Sequence, residues 1–394
     1  MKRKIKFGII FMMIFIVQNG ISFGNEVKKI NQKRNDYYEK TVKPEYEVVK
    51  AKIIEITLDE TKEERKNIPL QSDRRYQHLK IKLLSSSHKG ETYTVQNTIE
   101  MINPYKLIFT KKDKMLLRMF EDKEGNITSL QVYEKMREKY VYFAIIAFLI
   151  LLGIIGGKNG IKSILSLIFT GLIICFALLP LILNGYNPIL VSTIICIITT
   201  IITLILIVGK NRKAVSAILG TAFGLIISGL IVFMIGNASS LTGLGSEEAQ
   251  MLAYIPQNIN LDFKGILYAG ILIGALGAIM DVTVSISSSM WEVENAHPKI
   301  KTKELIKSGL NVGKDIMGSM SNTLILAYTG GALHLMLLFN AFNLKFVEIV
   351  NMDVIASEII RAIAGSIGLI MAIPLTAFIS GMNRQNKSSK SKKN

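Results

Sequence analysis

The polar N-terminal third of this 394-residue chain contains no cysteine; the two that exist, Cys175 and Cys196, lie in apolar sequence. A disulfide-stapled scaffold is therefore excluded, and the two apolar cysteines read as small hydrophobes rather than a metal or disulfide pair. Catalytic signatures are missing too. There is no Gly-x-x-x-x-Gly-Lys-Ser/Thr loop for nucleotide phosphates and no His-Glu-x-x-His pair for zinc. Asp281 has no second acid inside an apolar run to form a protease dyad, and Ser366 follows His334 in the wrong order and spacing for an intramembrane serine protease. Charge itself is nearly absent from several runs of 18 or more residues, which exceeds what a globular core element needs. A soluble enzyme is thus excluded, and no enzymatic activity, cofactor or metal site is expected.

What is present divides near residue 140. Residues 25–139 carry 25 Lys+Arg and 19 Asp+Glu, whereas residues 140–394 carry 18 and 11, clustered between apolar runs. The excess of basic residues sits beside those runs, so it points to a membrane surface and not to nucleic acid. Residues 1–24 form a basic start, an apolar run from Phe7 to Val17 and a small-x-small site at Ser22–Gly24, the pattern of a signal peptide or an N-terminal anchor. A linker follows over 25–44. Residues 45–139 read as five short strands separated by polar turns at Ser85–Gly90 and Asp122–Asn126. Their number and length predict a small OB-like all-β barrel outside the membrane.

Residues 140–381 read as an all-α bundle of seven transmembrane helices: Tyr140–Ile155, Ile161–Leu183, Ile189–Val208, Ala214–Ile235, Gly265–Ile286, Met320–Phe339 and Ile359–Ser380. Fifteen Lys and Arg fall in alternate connections and in the basic tail 382–394, against Lys264, Lys345 and Arg361 on the other side. The richer side is expected to be cytoplasmic, leaving the β-domain extracytoplasmic.

Asp281 is the most informative residue of the bundle. A carboxylate at bilayer depth costs on the order of 2.5–3.5 kcal/mol, so it should face a polar cavity, a partner or an ion. Gly277, Asp281, Ser285 and Ser289 recur every four residues, with Ser288 beside them, and Asn322 and Thr323 on the sixth span are expected at similar depth. His334 is expected to share a face with Thr323, Ala327 and Gly330, where it would relay protons. On the fourth span, Ser216, Gly220, Gly224 and Ser228 read as a helix-packing seam; such seams also permit a homo-oligomer. Glu247, Glu248, Asp262, Glu348, Asp353 and Glu358 collect on the opposite side from the basic clusters, as solvated acids.

Residues Gly274 to Ser289 and Gly313 to Tyr328, with the exported β-domain and the turn at Gly156–Gly160, resemble the YibE/F family of bacterial multi-pass membrane proteins. The resemblance implies a bacterial cell-membrane protein and directs attention to Asp281, Asp315 and Asn322 without giving them a role. The expected function is permease-like: a small solute or ion, a cation favoured, passing Asp281, Ser285, Ser288, Asn322, Thr323 and His334. The other expectation is a non-transporting envelope protein whose β-domain binds a partner or ligand.

Overall fold

The computed structural model describes residues 46–62, 73–254 and 261–383. The expected signal segment, the linker and the tail from residue 384 onward lie outside the described residues. The chain divides into two compact units, residues 1–148 and 149–394.

In the first unit, β1 (Glu47–Asp59), β2 (Arg74–Leu83), β3 (Thr92–Glu100), β4 (Lys114–Glu121) and β5 (Ile127–Lys135) form one antiparallel sheet in the order β3-β2-β1-β4-β5. Along β2 the side chains of Arg75, Gln77, Leu79, Ile81 and Leu83 are buried and the intervening ones are not, the period-two signal of a sheet with one packed face. The first half of β1 pairs with β4 and its second half with β2, and register shifts after Ile53 and Ile56 bend it between the two. The sheet curls until β3 approaches β5. It is barrel-like but not fully closed, because no ladder joins those two strands and a cleft of about 490 Å³ lies between them.

The curled sheet encloses Val49, Ile53, Leu79, Ile81, Met115 and Leu117, and Phe109 from the β3–β4 connection plugs the core. A loop residue buried this deeply needs partners for its backbone, and Gln77 supplies them. The Gln77 amide accepts from the Phe109 N–H at 3.0 Å and donates to the Phe109 carbonyl at 3.1 Å. Asn97 donates to Gln77 at 3.2 Å and to the Leu107 carbonyl at 2.7 Å. Each group orphaned here would cost about 1–3 kcal/mol.

A second tie joins the two polar turns. His88 presents Nδ1 to the Glu91 carboxylate at 3.3 Å and Nε2 to the Gly125 carbonyl at 3.0 Å, with Glu121 at 3.4 Å from Nε2. All these partners are acceptors, so only the doubly protonated ring donates to both sides. The hydrogen bond to Glu91 raises the His88 pKa above its ordinary value of 6.5, against a smaller desolvation penalty, and the Gly125 carbonyl and the Glu91 and Glu121 charges add to the rise.

The second unit contains most of the apolar helices. The helix α1 (Glu138–Ile173) begins in the first unit and runs into a π-helical turn (Ile174–Leu178) and α2 (Leu179–Leu183). Then come α3 (Pro188–Ile207), α4 (Arg212–Ala238), α5 (Glu247–Ala253) and α6 (Phe263–Ala296). Last come α7 (Thr302–Gly331), α8 (Leu333–Ala341), α9 (Phe346–Val350) and α10 (Asp353–Met382). Polar side chains cap several starts, as when Asn187 accepts from Ile189 and Leu190, Asn211 from Ala214, and Asp262 from Gly265.

Among the described residues, five helical stretches are long and apolar enough to cross a bilayer: Glu138–Leu183, Pro188–Ile207, Arg212–Ala238, Phe263–Ala296 and Asp353–Met382. The pair α7 and α8, bent by 60°, makes a sixth. The count differs from the expected seven because residues 138–183 run as one helical stretch. It is not straight. Gly157 leaves helical geometry (φ 52°, ψ −131°), and a Cβ on Gly160 would lie 2.1 Å from the Leu152 carbonyl oxygen. Residues eight apart in a straight helix are about 12 Å apart along its axis, so the chain folds back at Gly157.

At the centre α4 and α10 meet at backbone distance, with α6 packed against both through the Ile279 side chain. A Cβ on Gly224 would sit 2.8 Å from both the Gly368 carbonyl oxygen and Ile279, and one on Gly220 would overlap Thr376. Ser216, Gly220, Gly224 and Ser228 are all buried, so the seam read from sequence is a packing surface within this chain. Thr221 and Thr283 add a 2.7 Å hydrogen bond between α4 and α6. α7 lies over α6 and α10, with Gly309 against Met290 and Gly313 against Ile373 and Ile286.

Two outcomes follow from these contacts. The His88 contribution has a raised folded pKa, so it is present at low pH and lost as pH rises through that value. The stability difference between wild type and His88→Gln, from denaturant unfolding, should be largest below the ordinary histidine value of 6.5 and shrink as pH rises above it. In the bundle, Gly224→Ala should destabilise by about 1–3 kcal/mol, since the neighbour is backbone. Gly277→Ala, whose Cβ meets nothing within 4 Å, should melt like wild type.

Candidate functional site

A groove of about 400 Å³ opens between the second arm of α1, the π-helical turn, α3 and α6. Most of its wall is aliphatic, as expected of helices that face hydrocarbon, but a hydroxyl stripe runs through it. Ser163, Ser166 and Thr170 occupy one face of α1 at spacings of three and four, and Thr199 and Thr203 occupy one face of α3 at a spacing of four. Ser166 donates to Thr203 at 2.8 Å and ties the two helices together. Thr199 is 3% exposed, lines the groove and has no hydrogen-bond partner among the described residues.

From α6 the groove receives Gly277, Met280 and Asp281. The carboxylate of Asp281 has no hydrogen bond or ion pair among the described residues. Among the described residues that line the groove it is also the only formal charge. Its position follows from the seam behind it: Ile279 faces Gly224 and Gly368, and two residues further along a helix is about 200° around the axis. Packing α6 by its Ile279 and Thr283 face therefore turns Asp281 outward.

The other residues singled out from sequence lie elsewhere. Ser285 is exposed one turn beyond Asp281 and spends its hydrogen on the Asp281 backbone carbonyl at 2.8 Å. Ser288 is half-buried on the same side of α6. Asn322 and Thr323 are exposed on α7, and Thr323 donates to the Ser319 carbonyl at 2.8 Å. Gly274 abuts Tyr328 and Gly313 abuts Ile286, so α6 and α7 are antiparallel, with Asp281 level with about residue 319. Neither Asn322 nor Thr323 lines the groove.

His334 departs from its expected place. The helix bends by 60° between Gly331 and Leu333, so the spacing of four from Gly330 no longer keeps His334 on the face of Thr323. Paired glycines at 330 and 331 stiffen a helix poorly, which explains the break. His334 is exposed on α8.

The acids opposite the basic clusters have structural uses. Asp353 accepts from the Thr242 N–H and hydroxyl at 3.1 and 2.8 Å, Asp262 caps α6, Glu348 accepts from the Lys345 N–H at 3.1 Å, and Glu358 pairs with Arg361 at 2.8 Å. Both cysteines are free thiols, Cys196 buried and Cys175 exposed. Among the described residues no group of three or more His, Cys, Asp or Glu side chains is disposed to hold a metal ion. What sequence reasoning missed is the hydroxyl set on α1 and α3. The available signal was its helical spacing inside otherwise aliphatic runs.

Two family models match along the chain. Residues 45–134 match the YibE/F family N-terminal domain, and residues 144–386 match the YibE/F-like protein model. The chain belongs to the YibE/F family. No curated protein and no solved structure matches it. In this YibE/F chain the N-terminal match corresponds to the five-stranded unit, and the second match begins six residues into α1 and runs past the end of α10. The apolar helices make it a multi-pass membrane protein.

The Ser166–Thr203 bond predicts a measurable coupling. Ser166→Ala and Thr203→Val should each destabilise by about 0.5–1 kcal/mol, and the double variant by little more than either alone. Additive losses in a double-mutant cycle would show that the two hydroxyls act separately.

Proposed function

We propose that this YibE/F chain is a permease-like transporter of a small solute or ion, a cation favoured, and that its pathway runs along the groove at Asp281. One observation carries the reading: an unpartnered carboxylate at the middle of an apolar helix opens onto a hydroxyl-striped groove. A charge so placed is expensive unless it is solvated or meets a counter-ion in use. Ser285 and Ser288 continue the polar side of α6 beyond the groove. Asn322, Thr323 and His334 belong to the same pathway only as residues exposed on α7 and α8, reached from Asp281 through water or a shift of those helices.

The reading counts Glu138–Leu183 as two spans, supported by the reversal at Gly157, which raises six candidate spans to seven. It places the β-domain outside the cytoplasm and the basic tail within, supported by the fifteen basic residues in alternate connections and the tail. The β-domain is OB-like in this reading; the strand order β3-β2-β1-β4-β5, with β3 next to β5, supports it. No enzymatic chemistry is assigned.

A second reading draws on the 490 Å³ cleft between β3 and β5, where Gln96, Asn97, Asn103, Tyr105 and Gln131 offer hydrogen-bonding groups to a ligand. There the β-domain binds a partner or ligand and the bundle anchors it.

Ion flux into liposomes separates the two. Wild type should carry a cation current that Asp281→Asn reduces at least about tenfold while melting within a few degrees of wild type. Flux unchanged by the substitution would overturn the pathway at Asp281, and no flux for any small ion or solute would favour the second reading.

A further inference from the structure

The chemistry of the groove is narrower than "a cation". We propose that it holds one monovalent metal cation, of sodium or potassium size, between the Asp281 carboxylate and the hydroxyl stripe. The inference rests on the transport reading for its purpose but not for its evidence.

Charge decides the class first. Among the described residues the lining contains one carboxylate and no Lys, Arg or His, so an anion meets repulsion without a partner. A monovalent cation beside Asp281 makes a neutral pair, the least costly arrangement among aliphatic walls. A divalent ion leaves a net positive charge there. It also calls for more carboxylates than one, and among the described residues no cluster of three or more His, Cys, Asp or Glu exists.

The neutral oxygens decide the rest. Thr199 is 3% exposed, lines the groove and has no partner among the described residues, so its hydroxyl oxygen is open to a ligand. Ser166 gives its hydrogen to Thr203, which leaves the Ser166 oxygen as a further acceptor on the same wall. The third wall is unusual backbone. Ile174 and Leu178, the ends of the π-helical turn, line the groove, and the Leu179 N–H reaches back five residues to the Ile174 carbonyl. Hydroxyls are hard, uncharged oxygen ligands. The groove volume of about 400 Å³ also admits several waters, so the ion need not shed its whole shell.

The test is thermal unfolding of the purified full chain in detergent, with NaCl, KCl, MgCl₂ or CaCl₂ titrated against choline chloride at constant ionic strength. Sodium or potassium should raise the wild-type melting temperature saturably. Asp281→Asn should abolish the shift, and Thr199→Val should raise the half-saturating concentration at least about tenfold, with both variants melting cooperatively in choline chloride. Should Asp281→Asn fail to fold, the ion series on wild type and Thr199→Val still decides. Saturable stabilisation by magnesium or calcium alone, or a sodium and potassium response untouched by both substitutions, overturns the site. Liposome flux separates this from the transport reading. Saturable binding without flux overturns transport and keeps the site; flux of an uncharged solute, with no monovalent-ion binding, overturns the site and keeps transport.

Discussion

The close approach of α4, α6 and α10 governs the bundle. Gly224 and Gly368 allow two backbones to touch, with Ile279 of α6 wedged against both. Without a hydrophobic force between helices in lipid, such van der Waals contact over small residues is the main means of holding them. The consequence for function is geometric. Because α6 is gripped by its Ile279 and Thr283 side, its opposite side is left open, and Asp281 lies there. A larger residue at Gly224 would rotate or displace α6 and carry Asp281 with it.

The same rule, that a polar group away from water needs a partner, shapes both units with opposite results. In the β-domain Gln77 and Asn97 are buried and satisfied, fixing Phe109 and its loop onto the core. In the bundle most hydroxyls bond their own helix, as Thr200 does to Cys196 and Thr376 to Ala372. Asp281 and Thr199 have no such partner among the described residues, and what sets them apart from other unpartnered hydroxyls such as Ser228 and Ser380 is that both line one groove. Unspent hydrogen-bonding capacity at one place is what distinguishes a site from packing.

Much of this was legible in sequence. Strands alternate with period two, so the five in the β-domain were recognisable to within a few residues. Asp281 was legible because a lone carboxylate in aliphatic sequence has few structural uses. The buried stripe on α4 was legible from its spacing of four. The groove was not. Its other walls come from α1 and α3, more than seventy residues upstream, and nothing local pairs Thr199 with Asp281. Nor was the break at Ala332, where a helical count carried His334 past two glycines onto a face it does not share. The Gly156–Gly160 turn was legible as a break, and the chain does leave helical geometry at Gly157, yet helix persists on both sides of it.

The central claim is that water and ions reach Asp281 along the hydroxyl stripe, and Thr199→Cys tests it most directly in a chain carrying Cys175→Ser and Cys196→Ser. A thiol in a wetted groove ionises and reacts, whereas one in dry apolar packing stays protonated and inert. A water-soluble methanethiosulfonate reagent should label Cys at position 199 in the folded protein, and sodium or potassium should slow the labelling. A position 199 thiol that stays unreacted until the protein unfolds would contradict the account.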